Sequence, residues 1–109
     1  MSRREAKLLV GDIIDSAEKI LAYTQGMTYD DFIADEKTVD AVIRNFEIIG
    51  EAANRLPLAF KLLHPKIDWN QMRGFRNRIV HDYIGIDYTI VWQIKEVYLP
   101  HLLHLLKGI

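Results

Sequence analysis

Between Arg73 and Tyr83 the chain reads RGFRNRIVHDY. Three arginines, an asparagine, a histidine, an aspartate and a tyrosine fall within these eleven residues. Laid on a helix at about 100° per residue, Met72, Phe75 and Ile79 share one face. Arg73, Arg76, Asn77, Val80 and His81 spread over roughly 140° of the other. Asn77 and His81 stand at i,i+4, where side chains touch. Arg76 and Tyr83, nearly two turns apart, share an edge. This set suits phosphodiester chemistry. A guanidinium fork grips phosphate oxygens and stabilises charge that grows in a transition state. An imidazole titrates near neutral pH and can take a proton from a ribose 2′-hydroxyl or give one to a leaving 5′-oxygen. Such a reaction needs no metal, and it spares DNA, which lacks the internal nucleophile. Acid and base roles usually fall to two groups, so a symmetric dimer that joins two copies of this segment would supply both. A plainer reading stands beside this one: a solvated basic face, with a histidine near the negative end of a helix.

The elements that must carry this segment are helical. Residues 3–24 have a stripe of Leu9, Ile13, Ser16, Ile20 and Tyr23, with Gly26 as a stop. Thr28 and Asp31 form a capping-box-like start for a short helix at 29–34. Residues 37–56 form a second long helix with a stripe of Val39, Val42, Phe46, Ile49, Ala53 and Leu56. Its small patch, Gly50, Ala52 and Ala53, lets another helix come close. Pro57 and Pro65 bracket a short helix, PLAFKLLHP. Asp68, with Gln71 three residues on, starts a helix that runs from Trp69 to about Tyr83, and Gly85 closes it. Asp87 caps the last helix, whose stripe includes Val91, Ile94, Val97 and Tyr98 and which Pro100 kinks. No long stretch alternates like a strand. The expected fold is all-α: an up-and-down bundle of four main helices with short connecting helices, residues 1–109 forming a single domain.

Composition sets bounds on this reading. The chain has 109 residues, half of them hydrophobic and 27% charged, as in an ordinary globular protein. The net charge is −1, so an anionic partner must be met by local clustering. There is no cysteine, which removes thiolate metal sites and a cysteine nucleophile and agrees with a cytoplasmic setting. The apolar run near the start is broken by Gly11, Asp12, Asp15 and Glu18, unlike a signal peptide. No stretch approaches the roughly 20 apolar residues of a membrane span. His101 and His104 stand at i,i+3 and could ligate a metal, but no Glu-x-x-His or His-Glu-x-x-His accompanies them. Glu47 and Glu51 read as a solvated pair or as partners for Arg44 and Arg55, and His64 as a loop residue. No metal site and no cofactor are expected.

RNRIVH followed by DY has the form Arg-x4-His-x-Tyr, with a polar Asn directly after the Arg. This resembles the signature of the HepT-like toxins of the HEPN superfamily. IIGEAANRL at 48–56, the approach P…IDW at 65–69, VWQI at 91–94 and LPHLL at 99–103 resemble the same family in the same order, so the likeness covers essentially the whole chain. The resemblance implies a HEPN-like helical bundle that forms a homodimer. It implies a metal-independent endoribonuclease, the toxin of a toxin–antitoxin pair, with a composite site where two motif helices meet. By motif, Arg76 and His81 are the catalytic pair and Asn77 assists them; Arg73 and Arg78 are the accompanying phosphate-binding residues. The implied partner is a minimal nucleotidyltransferase antitoxin that attaches AMP to Tyr83. That modification sets negative phosphate beside Arg76 and His81, in competition with RNA. Two other functions remain open to the sequence. One is a non-catalytic module that docks a nucleotidyltransferase and holds nucleotide with Arg76 and His81. The other is a plain structural dimer with an incidental basic helix.

Overall fold

The computed structural model describes residues 3–81 and 85–109, the side chains of Arg3 and His81 excepted. Helix α1 (Arg3–Tyr23) packs along helix α3 (Glu36–Arg55), with the short α2 (Tyr29–Ala34) between them in sequence. Helix α4 (Leu58–Leu63) follows, then α5 (Trp69–Arg73) and α6 (Phe75–Ile79). A two-residue strand β1 (Val80–His81) pairs antiparallel with β2 (Gly85–Ile86). Helix α7 (Tyr88–Gln93), a π-helical turn (Ile94–Tyr98) and α8 (Leu99–Lys107) complete the chain. The fold is all-α in substance, as the sequence predicts.

The two long helices form because their apolar residues recur at helical spacing and their ends are satisfied. The Asp35 side chain accepts the Thr38 amide at 3.2 Å and the Thr38 hydroxyl at 2.8 Å, which starts α3 and holds the Asp35 carboxyl below the usual carboxylate range. The predicted capping box of Thr28 and Asp31 is present in full. All six stripe residues predicted for α3 are buried. On α1 the stripe holds for Leu9, Ile13, Ser16 and Ile20 but not for Tyr23, which is exposed while its neighbour Thr24 is buried.

Pro100, expected to kink the last helix, is preceded by a wider helical turn. It sits in the first turn of α8, and the chain reaches it through the π turn, where the Leu99 amide bonds the Ile94 carbonyl five residues back. That wider turn absorbs the missing amide hydrogen and rotates the following face. It explains why Val97, predicted to be buried, is 76% exposed while Lys95 is 9% exposed. The Lys95 ammonium lies 3.9 Å from the Trp92 ring centre and 2.9 Å from a Glu96 carboxylate oxygen, which compensates its burial.

Tyr98 sits edge-on to Phe75, with ring centres 5.6 Å apart. Burial, and then the Asp68 carboxylate, push its phenol up to about 12, against an opposing pull from Arg78. A raised folded-state value favours the neutral phenol. The stability it contributes is complete below pH 10 and is lost as pH rises from about 10 towards 12. Tyr98→Phe is therefore expected to lose less stability than the parent between pH 9.5 and 11.5 in urea titrations. Equal losses in the two proteins would remove Tyr98 from the alkaline transition.

Candidate active site

The segment of Arg76 and His81 is held by its apolar face. Met72, Phe75 and Ile79 are buried, as their spacing predicts, and Phe75 packs edge-on against Phe46 of α3 at 5.4 Å. Asp68 starts α5 by accepting the Gln71 amide at 3.0 Å, the first half of the predicted box. The rest of the predicted helix is corrected in two places. It is interrupted at Gly74, and it stops at Ile79 rather than near Tyr83.

The stop is set by pairing with residues 85–87. Val80 turns to an extended conformation at φ −107° and ψ 119°. The Ile79 carbonyl, which a longer helix would use internally, accepts the Asp87 amide at 2.7 Å. Val80 then pairs with Ile86, and His81 with Gly85. Gly85 has a φ of +87°, a conformation open to glycine at little cost, so it shapes the return strand and does not end a helix. Val80, expected on the outer face, packs partly buried against the core. His81 is on a strand, so the i,i+4 contact with Asn77 along a helix does not apply. Tyr83, and with it the shared edge with Arg76, lies outside the described residues.

Arg73, Arg76, Asn77 and Arg78 are all exposed. Three of them meet in one place. Arg73, Arg76 and Asn77 line a groove of about 610 Å³ between α3 and α5–α6, together with Glu47, Gly50, Glu51, Asn54, Asn70 and Gly74. Arg78 is not among the lining residues; its charge acts on Tyr98. Gly50 sets the depth of the groove. A Cβ there would stand 3.2 Å from the Met72 carbonyl oxygen, so the two backbones cross where a side chain would intrude. Among the described residues no ion pair involves Arg73, Arg76, Arg78 or Glu51. Burial lowers the pKa of the Lys61 ammonium on α4, and the nearby Arg73 guanidinium adds to the effect.

Residue spacing alone missed the α3 wall of this groove. Glu47, Gly50, Glu51 and Asn54 stand at i, i+3, i+4 and i+7, which was visible, but the partner helix that this face meets was not. Glu47 does pair with Arg44, at 3.7 Å on its own helix. His101 and His104 are exposed on α8, and among the described residues no group of three or more His, Asp or Glu could hold a metal ion. A second groove, about 650 Å³ between α1, α4 and α8, is lined mainly by apolar side chains and contains none of the motif residues. No helix among the described residues is long and apolar enough to cross a membrane.

Comparison with known proteins bears on this groove. Residues 13–109 match the family model described as Ribonuclease HepT-like. A protein of Thermococcus cleftensis named a probable ribonuclease HepT is 39% identical over 100 residues, which is 92% of this chain and 91% of its own. A protein of Methanocaldococcus jannaschii named as a candidate RNase is 38% identical over 94 residues, 86% of this chain and 78% of its own. A similarly named protein of Caldanaerobacter subterraneus subsp. tengcongensis is 34% identical over 87 residues, 78% of each. No solved structure matches the chain.

Proposed function

We propose that this chain, which belongs to the HepT-like ribonuclease family, is a metal-independent endoribonuclease and the toxin of a toxin–antitoxin pair, with residues 1–109 working as one domain. The observation that carries the reading is the polar groove where Arg73, Arg76 and Asn77 converge, all from the eight residues that precede His81.

The reaction is an internal transphosphorylation. The ribose 2′-oxygen attacks the adjacent phosphorus, the bond from phosphorus to the 5′-oxygen breaks, and a 2′,3′-cyclic phosphate and a free 5′-hydroxyl result. One imidazole takes the 2′-hydroxyl proton and a second protonates the leaving 5′-oxygen. A homodimer with one His81 from each copy supplies both. Arg76 binds the phosphate oxygens and stabilises the extra charge as phosphorus becomes five-coordinate. Asn77 orients the phosphate by hydrogen bonding, Arg73 adds a second cation to it from the same groove, and Arg78 holds a flanking phosphate. The antitoxin in this reading is a nucleotidyltransferase that transfers AMP from ATP to the Tyr83 hydroxyl and releases pyrophosphate. The added phosphate lies two residues from His81 in sequence and competes for the same cations.

The test is cleavage of an end-labelled RNA by the purified, unmodified protein in EDTA, beside His81→Ala. The expected result is cutting by the parent to cyclic-phosphate ends and its loss in the variant. Retained cutting by the variant removes His81 from the chemistry. If a folded, dimeric parent leaves RNA intact, the protein is a nucleotide- or partner-binding module instead.

A further inference from the structure

The cleavage chemistry uses the α5–α6 wall of the groove and leaves the α3 wall without a role. That wall offers Glu47, Glu51 and Asn54, facing Asn70, Arg73, Arg76 and Asn77. Every lining side chain is charged or an amide, and glycines make up the rest. Its volume of about 610 Å³ lies within the roughly 300–1,000 Å³ typical of small-molecule sites. Opposite charges line the two walls, yet they do not close on each other. Among the described residues Glu51, Arg73 and Arg76 take part in no ion pair, and the pair made by Glu47 is with Arg44, which is not part of the lining. Such a cleft complements a ligand that carries an anion at one side and hydrogen-bond donors at the other.

A ribonucleotide has both. Its phosphate suits the guanidinium wall. An ionised carboxylate only accepts hydrogen bonds, and its two oxygens match two parallel N–H groups. Guanine presents N1–H and N2–H side by side. Adenine and cytosine each set one amino group beside an unprotonated ring nitrogen, which repels a carboxylate. Uracil sets its single N–H between two carbonyl oxygens.

We propose that this groove is a guanine-reading subsite: Glu51 accepts N1–H and N2–H of a guanine base whose phosphate Arg73 and Arg76 hold. Asn54 and Asn70 are the nearby amides able to donate to O6. The inference rests on RNA being the substrate, and it assigns the protein a preference for cutting next to guanine.

Binding and cleavage are measured separately. Calorimetric titration of the intact protein with 3′-GMP, 3′-AMP, 3′-CMP and 3′-UMP is expected to show 3′-GMP bound at least about tenfold more tightly than the others. Glu51→Gln, an exposed change with little consequence for folding, is expected to erase that preference while keeping the affinity for 3′-AMP. Arg73→Ala weakens all four nucleotides alike. Equal binding of the four nucleotides, no binding of any, or a preference that survives Glu51→Gln overturns the subsite. Cleavage mapped on an RNA of mixed sequence then separates the two readings. Cutting with no guanine bias removes the subsite alone. A guanine preference in binding with no cutting removes the nuclease alone.

Discussion

Arg76→Ala is expected to lower the single-turnover rate of RNA cleavage by about 10²–10³-fold, the usual consequence of losing one preorganised donor to developing charge. Its melting temperature and circular dichroism should stay close to those of the parent. The side chain is exposed on α6 and takes part in no ion pair among the described residues, so its removal costs the fold little. The helix that carries it is fixed from the other face by Phe75 and Ile79, which are buried. Arg76→Lys keeps a charge but loses the planar fork, and should recover only part of the rate. Arg78→Ala provides the contrast, because Arg78 does not line the groove. Its effect should be a smaller loss that appears as weaker salt dependence of RNA binding rather than a slower chemical step. A well-folded Arg76→Ala protein that cuts at the parental rate would take the guanidinium out of the reaction.

Phe75→Ala should be the most damaging single change to the fold, costing about 3–5 kcal/mol. Against the roughly 5–15 kcal/mol that holds a domain of this size together, such a loss leaves much of the protein unfolded at modest temperature. Phe75 is fully buried and stands edge-on to two rings, Phe46 of α3 at 5.4 Å and Tyr98 of the π turn at 5.6 Å. One side chain thus ties the motif helix both to the central helix and to the C-terminal stretch. Its loss leaves a cavity that rigid aromatic neighbours cannot fill. Activity falls with it, but stability separates the cause from that of Arg76→Ala. Phe75→Leu, which refills much of the volume, should restore most of both. Urea denaturation measures the loss, and a change below about 1 kcal/mol would mean that the neighbours collapse onto the site.

The helices were legible because burial follows period. The stripe of α3 and the face of Met72, Phe75 and Ile79 were correct residue by residue. The caps at Thr28, Asp35, Asp68 and Asp87 close orphan amides in the structure; three of them were readable from side-chain type and offset, and Asp35 was missed. The small patch on α3 announced a close approach, and Gly50 makes one to α5. Two features were not legible. The end of α6 depends on hydrogen bonds from residues 85–87, which a helical wheel drawn on residues 72–83 cannot contain. The shift of face after Gln93 comes from one wide turn, and period counting assumes that no such turn exists. The motif itself is read as a string, so it survived both errors; the shape of its site did not. Arg73, Arg76 and Asn77 meet in one groove as expected, while their carboxylate neighbours Glu47 and Glu51 come from a helix some two dozen residues earlier.

The short pairing of β1 with β2 divides the motif into two mechanical parts. The guanidinium belongs to a helix pinned into the core by Phe75 and Ile79. His81 belongs by its backbone to a two-residue strand joined to a two-residue partner, with a further backbone bond from Asp87 to Ile79. A ladder that small opens far more readily than the packed helix beside it. In the proposed reaction, the rate would scale with the fraction of time that the strand is seated. Heat, or a bound molecule that favours the paired strand, would then change that rate while leaving the reacting groups as they are.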